Sequence, residues 1–242
     1  MFYFDDFYGK KVLKSSLLSE KDCFFTTRGF VLTHADRPDL EESAKRNRKF
    51  LLENLNCDNL ITAKQVHGDN IEIIKANTDF YNNTDSLISN IPNTVMIMNF
   101  ADCVPVILFS KNDNAGAIVH AGWRGTAKEI VFKAVNKMKQ ELNINPKDIT
   151  ALIGPSIGKC CFETHSDAFE QLIKDKDDTS LCEEKNGKYF IDLKMINSNQ
   201  LNRAGVENID TCNYCTCCMS EIFFSYRKEN GITARHSAVV KI

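Results

Sequence analysis

Two histidines and one cysteine stand where their side chains could bind a metal ion or react with a substrate. His67 lies in the segment Lys64–Gly68 and His120 begins the segment His120–Thr126; in each, an apolar element gives way to glycine. Cys103 lies between two apolar runs. Imidazole and thiolate are preferred ligands of zinc, and a set of three leaves a fourth tetrahedral position for water or substrate. These residues therefore predict a catalytic metal site.

The spacing of the three residues leaves other interpretations open. They are far apart along the chain and match no local zinc-finger pattern, so Cys103 could be a small buried residue while the histidines bond to the backbone at strand ends. Alternatively, Cys103 is a thiolate nucleophile activated by His120, as in a cysteine hydrolase acting on an amide or ester. A pocket that binds a nucleotide or a cell-wall precursor without catalysis is a further alternative.

The segment His120–Thr126 has features that a protein core does not require. Its two glycines would let the backbone approach a ligand closely, and Arg124 offers a guanidinium suited to phosphate or carboxylate. The helix predicted over Ala127–Leu142 would point its N-terminus the same way. We therefore expect Arg124 to bind an anionic group, the alternative being a surface ion pair.

The ten cysteines are predicted to be reduced thiols. The chain begins without the basic and then apolar segment of an export signal, which favours the cytoplasm, where disulfides are rare. Four cysteines lie within Cys212–Cys218, and a structural zinc or an iron–sulfur cluster there would lack a second pair at the usual distance unless Cys160 and Cys161 supply it. Ordinary reduced thiols are therefore the favoured interpretation of this cluster.

Strands grouped between helices must position these residues. The apolar runs Val95–Met98 and Val104–Phe109 predict a buried hairpin or two core strands that meet at a polar corner. Without strict alternation, the pattern predicts an α+β fold with mixed β-sheets flanked by helices, in a single domain over residues 1–242. Strands are also predicted near Phe24–Thr27, Leu60–Thr62, Ile71–Lys75, Ala115–Val119, Ile149–Ile153, Phe223–Tyr226 and Ala238–Ile242, and helices over Leu40–Leu55, Ser166–Lys174 and Leu193–Ala204.

Composition excludes several classes of protein. The chain has 242 residues, of which 43% are hydrophobic and 26% charged, as in globular proteins rather than disordered or fibrous ones. A formal net charge of −2 provides no positive field for nucleic acid. The most apolar stretch, Val95–Phe109, is interrupted by polar residues and is too short to span a membrane. We expect a cytoplasmic protein that acts on small molecules, with neither nucleic acid nor membrane as a partner.

Several segments together resemble the YfiH-like family, also labelled laccase-domain or polyphenol oxidase, which includes a bacterial peptidoglycan-editing factor and purine nucleoside phosphorylases. The similarity runs in order from about Phe24 to the C-terminus, although the tail, with Ala234–His236 and crowded cysteines, departs from the usual pattern. The matching segments are Lys64–Gly68, Ala101–Val106, His120–Thr126, Ile153–Gly158 with Cys161–Glu163, and Phe223–Arg227.

The resemblance implies a zinc site and a purine nucleoside substrate. It implies phosphorolysis of adenosine, inosine and methylthioadenosine with phosphate, deamination of adenosine, and a link to peptidoglycan editing. Two histidines and one cysteine would also suit copper, but a multicopper oxidase needs a further three-copper cluster, which five histidines cannot supply. Zinc is therefore favoured over copper, and a laccase-like polyphenol oxidase is the weaker alternative.

The resemblance also assigns roles to individual residues. The implied metal ligands are His67, Cys103 and His120, of which Cys103 and His120 are also catalytic. Arg124 would hold the incoming phosphate and take part in catalysis. The remaining implied substrate-binding residues are Arg28, Asn47 and Gln65.

Overall fold

The computed structural model describes residues 1–173 and 179–242. In these residues the strands are β1 Phe2–Phe7, β2 Lys10–Ser15, β3 Cys23–Thr26, β4 Asn59–Ala63, β5 Ile71–Ile73, β6 Phe80–Tyr81, β7 Ser86–Ser89, β8 Thr94–Phe100, β9 Val104–Ser110, β10 Ala115–Ala121, β11 Ile149–Ile153, β12 Glu163–Thr164, β13 Cys182–Lys185, β14 Lys188–Ile191, β15 Asn208–Thr211 and β16 His236–Lys241. The α-helices are α1 Glu41–Leu55, α2 Trp123–Ala127, α3 Ile130–Leu142, α4 Ser166–Leu172 and α5 Leu193–Arg203.

Two mixed sheets carry most of the strands. A seven-stranded sheet has the order β1-β2-β3-β16-β8-β4-β6, and a six-stranded sheet has the order β15-β11-β9-β10-β7-β5. Each combines antiparallel pairs with parallel ones, such as β4 with β8 and β5 with β7. Strands β12, β14 and β13 form a small third sheet.

The two large sheets pack face to face, with helices on their outer faces. Along β8, Met96 and Met98 contribute to the apolar core between the sheets, while Val95 and Ile97 join the core beneath α1. Strand β9 alternates in the same way, its Ile107 facing the inter-sheet core. Because successive side chains of a strand point to opposite faces, such doubly covered strands are apolar on both faces.

The helices complete a layered α+β architecture. Helix α3 buries Ile130, Val131 and Val135 in the same core as the outward face of the six-stranded sheet, a core to which α4 and α5 also contribute. The expected α+β fold of mixed sheets flanked by helices is therefore confirmed. Of the described helices, none has the length and apolar character needed to cross a lipid bilayer.

The structure decides one open alternative about local structure and shows that two expectations were wrong. The sequence allowed either a buried hairpin or two core strands that meet at a polar corner. Strands β8 and β9 belong to different sheets, so the second of these alternatives is correct. The helix expected over Ala127–Leu142 is two helices, because Glu129 takes a left-handed conformation (φ 61°) between α2 and α3. Residues Phe223–Tyr226 form a bend and irregular backbone, not a strand, although Phe223 and Phe224 are buried.

The predicted helix over Ser166–Lys174 is present as α4, which ends at Leu172. Its expected last residue, Lys174, lies outside the described part of the chain.

Candidate functional site

The pairing of β9 with β10 places Cys103 and His120 near one another. These strands form an antiparallel hairpin in which His120 is opposite Pro105 and Ala121 is opposite Val104. Cys103 directly precedes Val104, the first residue of β9, and so lies at the end of the hairpin where β10 carries His120. Hairpin register thus brings a thiol and an imidazole to one end of the six-stranded sheet.

A carboxylate that the sequence did not single out orients His120. Strand β7 pairs with β10 so that Ser86 is opposite Val119, which puts Asp85 opposite His120. Asp85 is fully buried, and its Oδ1 lies 2.7 Å from His120 Nδ1. This contact leaves Nε2 of His120 as the nitrogen able to bind a ligand, a support that is usual for metal-binding histidines.

The same carboxylate holds the loop that carries His67. The backbone N–H groups of Val66, His67 and Gly68 donate to Asp85 at 3.3, 2.9 and 2.8 Å. These bonds stabilise His67 in a left-handed conformation (φ 60°), which is uncommon for residues other than glycine. Asp85 therefore fixes two of the three candidate ligands at once.

The three predicted ligand residues converge in space. One donor atom of each of His67, Cys103 and His120 lies within 4.8 Å of the others. His67 is exposed, Cys103 is half-buried and His120 is buried, so this histidine–cysteine group opens to solvent on the His67 side. Two imidazoles and one thiolate fit a zinc ion that keeps one coordination position free.

The charges of the histidine–cysteine group are coupled. Burial opposes a charge on Cys103, but the charge of His120 and hydrogen bonds from both imidazoles lower the pKa of the thiol to about 6. Burial also disfavours charging His120, whereas the Cys103 thiolate and the Asp85 carboxylate raise its pKa to about 9. A thiolate is the form that binds metal, and a metal ion would replace the proton of the imidazolium.

A glycine leaves room beside the group. A Cβ atom at Gly122 would lie 3.2 Å from Cys103 Sγ and 3.2 Å from His67 Cδ2. The atoms that would crowd a side chain at Gly122 belong to the candidate metal ligands themselves. The expected close approach of the backbone to a bound substrate stays a prediction. Gly125 permits a second close approach, because a Cβ there would lie 2.8 Å from the carbonyl oxygen of Gly68.

The polar corner between β8 and β9 is fixed by side-chain hydrogen bonds. Asp102, just before Cys103, has a positive φ of 81°. Its carboxylate accepts a hydrogen bond from Thr216 Oγ1 at 2.6 Å and another from the backbone N–H of Arg227 at 2.7 Å. The C-terminal part of the chain thereby holds the backbone that presents Cys103.

Arg124 lies just beyond the group, near the start of α2. Its side chain is exposed, and the guanidinium carbon lies 4.2 Å from the centre of the Trp123 ring. Among the residues that the structure describes, Arg124 forms no salt bridge, unlike the surface ion pair considered from the sequence. Its guanidinium therefore remains available to an anion.

The other predicted substrate-binding residues make intramolecular bonds. Arg28 pairs with Glu229 and stacks over Phe224, its guanidinium carbon 4.3 Å from the ring centre. Asn47 is buried and donates to the carbonyl oxygen of Val31 at 2.8 Å.

Gln65 is likewise engaged. It exchanges two hydrogen bonds with the backbone of Asn99, at 2.8 and 2.9 Å, at the end of β8. Through these contacts Arg28, Asn47 and Gln65 stabilise the fold, and their roles in substrate binding stay predictions.

Asp85 is the residue that sequence reasoning missed. It stands at the end of a polar stretch, Asn82–Asp85, immediately before the strand Ser86–Ser89. The available signal was a carboxylate adjoining a buried strand, much as Cys103 adjoins the apolar run Val104–Phe109.

Comparisons with known proteins agree with the predicted family resemblance. A family model described as multi-copper polyphenol oxidoreductase laccase matches residues 32–242. A protein of Clostridium acetobutylicum named purine nucleoside phosphorylase is 34% identical over 232 residues, covering 93% of this chain and 95% of its own length. The purine nucleoside phosphorylase YlmD of Geobacillus stearothermophilus is 31% identical over 219 residues, covering 85% of this chain and 79% of its own length.

Solved structures share the whole fold. The crystal structure of the hypothetical protein YfiH from Bacillus licheniformis superimposes with a TM-score of 0.88 at 26% identity, covering 99% of this chain and 98% of that one. The crystal structure of YlmD from Geobacillus stearothermophilus gives the same TM-score and identity, covering 98% of both chains.

Proposed function

This chain belongs to the family described as multi-copper polyphenol oxidoreductase laccase. We propose that it is a zinc-dependent purine nucleoside phosphorylase. The ligands of the zinc ion would be His67, Cys103 and His120. The observation that carries the proposal is the convergence of their donor atoms within 4.8 Å, supported by the buried Asp85. The names of the Clostridium and Geobacillus relatives support a purine nucleoside and phosphate as substrates.

In the proposed reaction a phosphate oxygen attacks C1′ of the ribose, the bond to the purine breaks, and the base leaves as it gains a proton. The bound zinc would supply Lewis-acid chemistry and lower the pKa of a water molecule, which would also serve deamination of adenosine. Asp85 would hold His120 in the orientation that binding requires. Arg124 would hold the phosphate while charge builds on the leaving base.

We further propose that adenosine, inosine and methylthioadenosine are substrates, and that adenosine is also deaminated. Incubation of the pure protein with adenosine, with and without phosphate, tests this by product analysis. Adenine formed only with phosphate supports phosphorolysis, and inosine supports deamination. Unreacted adenosine in both samples, with zinc bound, would contradict both activities.

Substitution of the ligands tests the metal site. We expect His67→Ala and Cys103→Ser to lose one zinc ion and nucleoside phosphorolysis together while circular dichroism stays that of the folded protein. His165→Ala is the matched control, because His165 is exposed and lies outside the group. Zinc retained in full by either ligand variant would count against the assignment.

Arg124→Ala tests the phosphate role. We expect the KM for phosphate to rise about tenfold, the worth of one charge-assisted hydrogen bond, with the zinc content unchanged. Arg203→Ala is the control, since Arg203 pairs with Glu129 at the surface. An unchanged KM for phosphate would remove Arg124 from this role.

A cysteine hydrolase is the second candidate, favoured by the lowered pKa of Cys103 next to His120. A thiolate and an imidazolium in contact are the ion pair that such enzymes use. The third donor, His67, is better explained by a metal. A metal-free protein that hydrolyses amides or esters and is inactivated when Cys103 is alkylated would favour the hydrolase.

A multicopper oxidase is less well supported than zinc chemistry. Within residues 1–173 and 179–242, which include all five histidines, no second group of metal-ligating side chains contains a histidine. A three-copper cluster requires many more imidazoles than the remaining His34, His165 and His236 could supply.

A further inference from the structure

Four cysteines converge at a second place, formed by two segments far apart in the sequence. The Sγ atoms of Cys160, Cys161, Cys215 and Cys218 all lie within 4.8 Å of one another. Cys218 Sγ is 3.8 Å from that of Cys160 and 3.5 Å from that of Cys161. None of the four belongs to the histidine–cysteine group, and we refer to them as the cysteine group.

Backbone contacts bring the two segments together. Ser156 and Cys215 form an isolated parallel β-bridge, and the N–H of Thr216 donates to the carbonyl oxygen of Ser156. The N–H of Gly158 donates to Cys215 Sγ at 3.2 Å, a bond that favours a thiolate at this position. A Cβ at Gly158 would lie 3.2 Å from Cys160 Sγ, so glycine leaves room for the sulfur atoms.

The distances fit one metal ion better than the alternatives. Zinc–sulfur bonds of about 2.3 Å in a tetrahedron place the sulfur atoms about 3.8 Å apart, close to the observed 3.5 and 3.8 Å. An iron–sulfur cluster distributes its four cysteines over two or four iron atoms and needs a wider cage. A disulfide requires sulfur atoms about 2.05 Å apart, and all four cysteines are free.

A buried cation complements the charge that such a site would carry. Four thiolates and one divalent ion have a net charge of −2. The ammonium of Lys194 is buried, lies within electrostatic range of Cys215 and Cys160, and donates to the carbonyl oxygens of Cys212 and Tyr214 at 2.7 and 2.8 Å. In the described part of the chain, Lys194 forms no salt bridge with a carboxylate, and burial lowers the pKa of its ammonium. The negative charge of a nearby tetrathiolate site would favour the charged form of this lysine.

We propose that Cys160, Cys161, Cys215 and Cys218 bind a structural zinc ion as a tetrathiolate site. The ion would tie the segment 156–163 to the segment 212–218. All four coordination positions would be occupied by protein, as in structural rather than catalytic zinc sites.

This second site would support the histidine–cysteine group. Thr216, between two of the proposed ligands, donates to Asp102, which precedes Cys103. Arg227 donates from its backbone to the same carboxylate and from its side chain to the carbonyl oxygens of Cys161 and Glu163, at 3.0 and 2.9 Å. A zinc ion at the cysteine group would thus stiffen the polar corner that presents a ligand of the other group.

Zinc stoichiometry of the purified reduced protein tests the proposal. We expect two zinc ions per chain in the wild type, one in Cys218→Ser, one in His67→Ala and none in the double variant. Cys217→Ser is the matched control, because Cys217 is the adjacent thiol and is not one of the four converging residues. It should keep two zinc ions.

A spectroscopic measurement keeps the test independent of how well Cys218→Ser folds. Cobalt(II) bound to His67→Ala should show the strong thiolate-to-metal absorption of a four-sulfur site, which Cys161→Ser in the same background removes. A wild type with one zinc ion that His67→Ala loses would overturn the proposal, as would two zinc ions in Cys218→Ser. The visible absorption of an iron–sulfur cluster would also overturn it. A wild type whose only zinc is lost in Cys218→Ser would instead contradict the metal in the proposed function.

Discussion

The histidine–cysteine group and the cysteine group are held by different parts of the fold. The first is built on strands, with Cys103 and His120 at one end of the β9–β10 hairpin and Asp85 beside them. The second is built on turns, where the segments that carry Cys160 and Cys215 are joined by the Ser156–Cys215 β-bridge and a few hydrogen bonds. Paired strands hold a reactive group firmly and can leave one side open, whereas turns joined by few bonds would gain stability from a bound ion. The contrast suits a catalytic role for one group and a structural role for the other.

Asp85→Ala should have the largest effect on this contrast. The substitution leaves three backbone N–H groups and the buried His120 without their acceptor, so we expect a loss of about 3 to 5 kcal/mol in the free energy of unfolding. Zinc at the histidine–cysteine group should be lost while the cysteine group keeps its ion. Urea denaturation and zinc analysis check both.

Asp113→Ala is the control for that variant, because Asp113 is exposed and accepts a hydrogen bond from Ser110 at the end of β9. A loss below 1 kcal/mol for Asp85→Ala would contradict its role in fixing the two loops.

A pair of glycine variants should separate the two groups. Gly122→Ala crowds Cys103 and His67, and Gly158→Ala crowds Cys160 and Cys215, each at 3.2 Å. We expect each to weaken zinc binding by about 10- to 100-fold at its own group only, as disturbance around metal ligands typically does. Competition with a chelator measures both affinities.

Gly29→Ala is the neutral comparison, since the nearest atom to a Cβ there is 3.9 Å away. Equal weakening of both groups by either variant would mean that the groups are not held separately.

Acid should destabilise the protein through the buried His236. His236 is fully buried next to Phe100 and Phe223, and burial lowers its pKa to about 3. The unfolded chain takes up this proton near pH 6.5, so the contribution is complete above that pH and is lost as the pH falls toward 3. We expect about 1.4 kcal/mol less stability at pH 5.5 than a residue without this shift would give.

Urea midpoints at pH 7.5 and 5.5 measure this loss, and His236→Gln should show a smaller difference between the two. An equal difference in the variant would assign the acid sensitivity to other groups.

Much of the fold and the histidine–cysteine group could be predicted from sequence. Buried strands leave apolar runs, and polar residues where such runs end stand out, which is how His67, Cys103 and His120 were found. The family resemblance from the motifs was confirmed. The role of His67, Cys103 and His120 as metal ligands stays a prediction, as does the single domain over residues 1–242.

What sequence could not predict depends on contacts between distant segments. The supporting role of Asp85 exists only because β7 pairs with β10 in one register. The cysteine group needs the turn after Gly158 to meet Cys215, and no local pattern encodes that meeting. Phe223 and Phe224 resemble a strand because they are apolar, yet they reach the core from irregular backbone.

The hairpin of β9 and β10 makes the reactive end depend on the opposite end. Seven residue pairs run from Ser110 with Ala115 to Val104 with Ala121, and the turn Lys111–Asn114 sets how they align. Lengthening that turn would be harmless if the same pairs re-formed. A slip of one residue would instead rotate His120 to the other face of the sheet, so a surface turn with no chemistry of its own determines whether the imidazole meets the sulfur.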